Sequence, residues 1–129
     1  YRVLHRAVKD ELVASVHGIY RGGLGIHLAL VAMAGNLGMQ INLNHVPVDT
    51  IDRNDVVLFS ESAGRFIATV NPENKDRFED LFRDLPCSCV GRVTEETSLT
   101  LTGLDDRPII SLTIEALKVA WKKPFGELV

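Results

Sequence analysis

The chain has 129 residues, of which 46% are hydrophobic and 24% charged, with a formal net charge of −3 at pH 7. These values predict one globular domain over residues 1–129 and exclude a disordered chain. No apolar run reaches the ~20 residues of a membrane span, and the first residues lack a secretory signal pattern. The scattered Lys and Arg argue against a nucleic-acid surface. We therefore expect a soluble, cytoplasmic domain that binds neither membranes nor nucleic acids.

Hydrophobic spacing predicts the elements of the first part of the chain. Tyr1–Glu11 has the pattern of a short amphipathic helix. The small and β-branched residues of Leu12–Val16 favour a buried strand, and Leu24–Ala34 favours an apolar helix that ends at Gly35-Asn36. Met39–Asn44 alternates between apolar and polar residues, which is typical of a strand with one buried face.

The second part of the chain mixes strands and helices. Glu95–Thr97 is a turn that should join the strands on either side of it in a hairpin. Pro124 should end the last helix. The predicted strands are Arg65–Val70, Cys87–Thr94, Ser98–Thr102 and Pro108–Leu112, and the predicted helices are Pro72–Asp84 and Ile114–Lys123. This order predicts an α+β domain with a mixed sheet.

A glycine turn lies between the first predicted strand and the apolar helix. Gly22 and Gly23 allow positive φ angles and a close approach of the backbone to a neighbouring group. Free N–H groups at the start of the helix would favour an anion such as a phosphate. The same glycines are also what tight packing at a strand–helix junction requires, so both interpretations stand.

The two cysteines, Cys87 and Cys89, are separated by one residue. In a strand they would point to the same face. No second Cys or His cluster has a spacing that would complete a metal site. We expect a reduced structural pair and no metal site.

Two segments together resemble a known family. Gly22-Gly23-Leu24, with a helix and Leu37-Gly38 beyond it, resembles the pattern His-Asp-x-Ser-Asp-Gly-Gly-Leu and the later Gly-Leu-Gly turn. Residues 59–66, Phe-Ser-Glu-Ser-Ala-Gly-Arg-Phe, closely resemble Phe-Ser-Glu-Ser-x-Gly-Arg-Phe. Both patterns belong to the C-terminal domain of aminoimidazole ribonucleotide synthetase-related proteins, and the second is similar to the phosphoribosylformylglycinamidine synthase family.

The resemblance implies a fold, an activity and partners. It implies an α/β/α layered domain with a mixed, mainly antiparallel sheet, which would be the C-terminal domain of a longer enzyme. That enzyme would convert formylglycinamide ribonucleotide to the amidine with ATP, Mg²⁺ and glutamine-derived ammonia. The implied partners are the ATP-binding domain of the same enzyme, a glutaminase subunit and the small-molecule ribonucleotide.

The first segment departs from the family pattern at three positions. Gly18, Tyr20 and Arg21 stand where the family has aspartate, serine and aspartate. Two carboxylates are therefore replaced, and a positive charge is added that favours a phosphate. We expect no catalytic residue and no certain cofactor in this chain, because the departures place catalysis on partner domains.

The candidate nucleotide- or phosphate-binding residues come from both segments. Glu61 could contact a ligand or cap a turn, Arg65 could pair with Glu61 or with a phosphate, and His17 could donate to a substrate or be a structural group. His27 lies in the helix that follows, and His5 and His45 have no partner that the sequence reveals. The full candidate set is His17, Arg21, Gly22, Gly23, Ser60, Glu61, Ser62 and Arg65.

Three functional hypotheses follow. In the first, the chain is a synthase domain that is inactive alone. In the second, it is a degenerate structural or interaction module of the superfamily. In the third, it belongs to a related protein similar to aminoimidazole ribonucleotide synthetase with another substrate. In each case, a surface made for a partner would allow the isolated chain to form a homo-oligomer.

Overall fold

The structure, a computed structural model, describes residues 1–128. Three short 3₁₀ segments, at residues 43–45, 72–74 and 123–128, complete the regular structure. The helices and strands in chain order are α1 (Arg2–Lys9), β1 (Ser15–Gly18), α2 (Gly23–Gly35), β2 (Gly38–Asn42), α3 (Asn54–Phe59), β3 (Phe66–Thr69), α4 (Lys75–Leu81), β4 (Gly91–Thr94), β5 (Ser98–Thr102), β6 (Pro108–Thr113) and α5 (Ile114–Lys122). Within residues 1–128, no helix is long and apolar enough to cross a bilayer.

The main sheet has four strands in the order β4-β2-β5-β6. β2 runs parallel to β5 and antiparallel to β4, and β5 is antiparallel to β6. The predicted α+β class with a mixed, mainly antiparallel sheet is therefore confirmed. Met39 and Ile41 on β2 and Leu99 and Leu101 on β5 are buried on the core face, as the alternating sequence indicates.

The predicted hairpin between the strands at 87–94 and 98–102 is wrong. β2 lies between them, because its core-facing residues Met39 and Ile41 pair on one side with β4 and on the other with β5. β4 begins only at Gly91, so the two cysteines precede the strand. Gly91 packs directly against the backbone of Gln40, where a side chain would not fit.

A separate ribbon of two antiparallel strands, β1 and β3, carries the glycine turn. The predicted strand Leu12–Val16 is displaced, because Leu12 is buried beside Ala7 and Phe78 and pairing begins only at Ser15 with Thr69. The strand is also partly exposed rather than buried. The shift matters for the site, since His17 and Gly18 become strand residues next to the turn.

The predicted helices at 1–11, 24–34 and 114–123 are confirmed with small changes of boundary. Asn36 ends α2 in the left-handed conformation with φ of 52°, a usual helix C-terminus. The predicted helix at 72–84 is shorter, because a 3₁₀ turn opens it and α4 ends at Leu81. The α-helix α5 ends at Lys122, two residues before Pro124, and a 3₁₀ segment follows from Lys123.

Two apolar clusters hold these elements. The larger one joins α2, α3 and the start of α5 to β2 and β5, and the smaller one joins α1 and α4 to the ribbon. In the larger cluster, Leu24 and Leu28 of α2 pack with Val57 and Leu58 of α3. The packing of α2 on α3 brings the glycine turn beside the segment that follows α3.

The buried position of Leu28 predicts a large loss of stability on truncation. Leu28 is 1% exposed in the larger cluster. We expect Leu28→Ala to lower the free energy of unfolding by about 2–5 kcal/mol, because it removes buried methyl groups and leaves a cavity. Urea unfolding of the purified chain measures the change. Val119→Ala, at a position that is 60% exposed on α5, is the control, with an expected change within about 0.5 kcal/mol.

Candidate ligand-binding site

The glycine turn is built by backbone geometry that only glycine adopts easily. Gly22 and Gly23 have φ angles of 89° and 72°, which side chains strain. A Cβ on Gly23 would lie 2.7 Å from the carbonyl oxygen of Leu58 and 2.8 Å from backbone carbons of Phe59. The steric interpretation of Gly23 is therefore confirmed: it lets the start of α2 touch the end of α3.

The two glycine N–H groups of the turn are not free, because each already donates a hydrogen bond within the chain. The Gly22 N–H donates to Glu61 Oε1 at 2.8 Å, and the Gly23 N–H donates to the Tyr20 carbonyl oxygen at 3.2 Å. A carboxylate from the second segment thus occupies the anion position at the start of α2, where the helix dipole favours negative charge. Glu61 therefore links the second segment to the start of α2.

Arg65 holds the second segment in shape. Its guanidinium donates to the carbonyl oxygens of Ser60 and Ser62, so its partners here are backbone groups of its own loop rather than Glu61. Its own carbonyl oxygen accepts from the Ile19 N–H at 2.9 Å. Arg65 and Ser60 therefore hold the shape of the loop, and neither lines the depression described next.

The two segments enclose a shallow depression of about 170 Å³. Of the predicted residues, Arg21, Glu61 and Ser62 line it together, whereas Gly23 lies behind it against α3. Small-molecule sites usually have volumes of about 300–1,000 Å³, so this depression suits one phosphate-sized group rather than a whole nucleotide. Its lining residues are Ile19, Tyr20, Arg21, Glu61, Ser62 and Ala63.

The charge of the depression comes from Arg21 and Glu61. Within the part of the chain that the structure describes, the Arg21 guanidinium makes neither an ion pair nor a hydrogen bond. Glu61 is engaged by the Gly22 N–H. An exposed guanidinium with free donors is suited to bind a phosphate or carboxylate in a forked geometry.

His27 is a residue of this region that sequence reasoning missed. It is 6% exposed and belongs to the buried face of α2. Its ring nitrogens contact His17 and the backbone of Tyr20 and Arg21. The signal was its spacing, since Leu24, His27 and Leu28 share one helical face and a polar residue on an apolar face requires partners.

The cysteines lie apart from this site, in the loop before β4, and both are free thiols. Burial, the nearby Glu79 carboxylate and Cys89 raise the pKa of the Cys87 thiol, which makes it a poor nucleophile at neutral pH. Among residues 1–128, no group of three or more His, Cys, Asp or Glu side chains is placed to hold a metal ion.

The family described as AIR synthase related protein, C-terminal domain, matches residues 1–103. The chain therefore belongs to this family. It is 33% identical over 120 residues to phosphoribosylformylglycinamidine synthase subunit PurL of Lactobacillus helveticus, covering 93% of this chain and 15% of that protein. It is 35% identical over 116 residues to PurL of Thermococcus sibiricus, covering 90% of this chain and 16% of that protein. The chain thus spans about one sixth of the relatives' length.

Solved structures share the fold. PurL of Thermotoga maritima complexed with FGAR matches with a TM-score of 0.79 and 22% identity, over 90% of this chain and 20% of that chain. The hydrogenase maturation protein HypE in complex with ATP matches with a TM-score of 0.73 and 18% identity, over 90% of this chain and 40% of that chain. At this level of identity, the likeness concerns the fold alone.

The contact of Gly23 with α3 predicts that a methyl group is not tolerated there. We expect Gly23→Ala to destabilise the chain by about 1–3 kcal/mol or more, through the strained φ and the clash with the Leu58 carbonyl. In Gly35→Ala, the added Cβ meets nothing within 4 Å, and the helix should gain up to about 1 kcal/mol. Thermal or urea unfolding compares the two variants. Equal effects would contradict the close approach of α2 and α3.

Proposed function

We propose that the chain is the C-terminal domain of a phosphoribosylformylglycinamidine synthase, a cytoplasmic ligase of purine biosynthesis. The observation that carries the proposal is the match of nearly the whole chain to PurL subunits at 33% and 35% identity. The depression between the two segments supports it, because Glu61 and Ser62 of the segment that resembles the family line one small site. The substrates would be formylglycinamide ribonucleotide, ATP and glutamine-derived ammonia.

In this reaction, ATP phosphorylates the amide oxygen of the substrate, and ammonia then displaces phosphate to leave the amidine. The residues of this chain would contribute binding rather than bond making. Arg21 would face the oxygens of a phosphate group on the nucleotide or the ribonucleotide, with the Ser62 hydroxyl beside it. Glu61 would hold the glycine turn in place through the Gly22 N–H.

The residues present do not fit a magnesium site of their own. Mg²⁺ prefers octahedral oxygen ligands, usually one or two carboxylates with phosphate oxygens and waters. The depression contains one carboxylate, that of Glu61, which already accepts a hydrogen bond from the Gly22 N–H, and it stands beside the positive charge of Arg21. Any magnesium used by the enzyme would therefore be held by other domains.

The size of the depression argues for a shared site. At about 170 Å³, it leaves most of a nucleotide or ribonucleotide outside this chain. The remaining walls would come from the ATP-binding domain of the same enzyme, and the ammonia from a glutaminase subunit. The catalytic groups would lie on those partners.

Phosphate recognition by Arg21 predicts weak but measurable binding. In calorimetric titrations of ADP and of AMP into the purified chain, we expect saturable binding that Arg21→Ala weakens by roughly 10-fold or more, because a charge-assisted hydrogen bond is lost. Arg2→Ala, an exposed arginine at the start of α1, is the control and should bind like the unchanged chain. Equal affinities for both variants would contradict a role for Arg21.

A shared site also predicts no turnover by the chain alone. With formylglycinamide ribonucleotide, ATP, Mg²⁺ and ammonia, the purified 129-residue chain should form no amidine above background. Supplying the ATP-binding domain of a synthase in trans should be required for any activity. Robust turnover by the isolated chain would contradict the placement of catalysis on partner domains.

A structural module is a second candidate function, and one observation favours it. The anion position at the start of α2 is already filled by Glu61, so the turn can be complete without a ligand. In that case, Arg21→Ala and Glu61→Ala in the assembled synthase would leave its kinetics unchanged. Polar substitutions at exposed apolar positions, such as Trp121, would instead impair its assembly.

A further inference from the structure

The two histidines beside the glycine turn form a connected pair. His27 Nδ1 lies 2.8 Å from His17 Nε2. On the other side of the same ring, His27 Nε2 lies 3.0 Å from the Tyr20 nitrogen and 3.1 Å from the Arg21 carbonyl oxygen. The ring therefore bridges β1 to the backbone of the loop that precedes α2.

One nitrogen cannot satisfy both loop groups at once, so the tautomers of the two rings are linked. If His27 carries its proton on Nδ1, it donates to His17 Nε2, and the Tyr20 N–H donates to His27 Nε2. If the proton is on Nε2, His27 donates to the Arg21 carbonyl oxygen, and His17 Nε2–H donates to His27 Nδ1. In each arrangement, His17 selects which loop group His27 holds.

The loop residues held in this way are the ones that face the depression. Tyr20 and Arg21 both line it, and Gly22 follows with its N–H on Glu61. The Tyr20 ring stands edge-on to the His27 ring, with centroids 5.7 Å apart and planes at 79°. The Tyr20 ring also covers Gly18, where an added Cβ would collide with the phenol group.

The buried position of His27 fits a support rather than a ligand contact. His27 is 6% exposed and does not line the depression. Within residues 1–128, no buried side-chain nitrogen or oxygen lacks a hydrogen-bond partner, so its polar atoms are committed to His17 and the loop. Removing the ring would take away the contacts of His27 with Tyr20 and Arg21. The hydrogen bond from Gly22 to Glu61 on the other side of the loop would remain.

We propose that His27, oriented by His17, is a positioning residue for the phosphate site: its Nε2 accepts from the Tyr20 N–H and fixes the backbone that leads into Arg21, so that the Arg21 side chain is presented to the ligand. The ligand part of this inference rests on the proposed function. The positioning part concerns the free chain and is measurable without a ligand.

Two substitutions separate the contacts of His27. A glutamine amide reaches about as far as Nε2 and keeps the contact with the loop, whereas an asparagine amide stays near Nδ1 and keeps the contact with His17. We expect hydrogen exchange at the Tyr20 amide to accelerate roughly 5- to 30-fold in His27→Asn, as the loss of one hydrogen bond implies. His27→Gln should stay close to the unchanged chain, and His5→Ala on α1 is the control.

The affinity for ADP and for inorganic phosphate is measured by calorimetry on the same proteins. It should fall in His27→Asn and stay close to that of the unchanged chain in His27→Gln. Unfolding midpoints show whether each variant is folded. His17→Ala is the second test if the His27 variants fail to fold, because His17 lies outside both apolar clusters. It should speed Tyr20 exchange by a smaller factor, since His27 remains but loses its orienting partner.

The outcomes distinguish the two proposals. If Asn and Gln at position 27 give equal Tyr20 exchange, or if His17→Ala leaves that exchange unchanged, the positioning role is overturned whether or not ligands bind. If Tyr20 exchange follows the expected order but the unchanged chain binds neither ADP nor phosphate, the loop is positioned as proposed and the ligand role of the site fails.

Discussion

The contact between Gly23 and the backbone of Leu58 and Phe59 is the constraint on which the site depends. Because nothing larger than a hydrogen fits between them, α2 and α3 approach closely enough for the loops at their ends to meet. The glycine turn and the Phe59–Phe66 segment are far apart in sequence but become the two sides of one depression. The hydrogen bond from Gly22 to Glu61 then closes the junction.

Local patterns predicted most elements, and contacts between distant segments account for the failures. The helices α1, α2 and α5 follow from apolar spacing and end signals that lie within each helix. The hairpin prediction failed because Glu95–Thr97 looks like a hairpin turn locally, whereas the strand between its arms, β2, comes from much earlier in the chain. The boundaries of β1 failed for a similar reason, since pairing with β3 and not composition sets its first residue.

The candidate site was predictable as a list of residues but not as a set of contacts. Arg21, Glu61 and Ser62 do line one depression, which the two segments alone suggested. The partners of Glu61 and Arg65 were not predictable, because a carboxylate and a guanidinium each accept many partners and only the folded chain selects among them. The spacing of His27 on the apolar face of α2 indicated that it needs partners, but the partners themselves, one strand residue and two backbone groups, leave no pattern in the sequence.

The parallel pairing of β2 with β5 has a consequence for how the chain folds. β2 finds both of its neighbours late in the sequence, with Met39 opposite Val93 on one side and Leu99 on the other. The main sheet therefore cannot assemble until most of the chain has left the ribosome, and closing such long loops slows folding. Until then, the apolar residues of α2 that pack against β2 and β5 have no sheet to cover them, and exposed apolar surface of this kind favours aggregation.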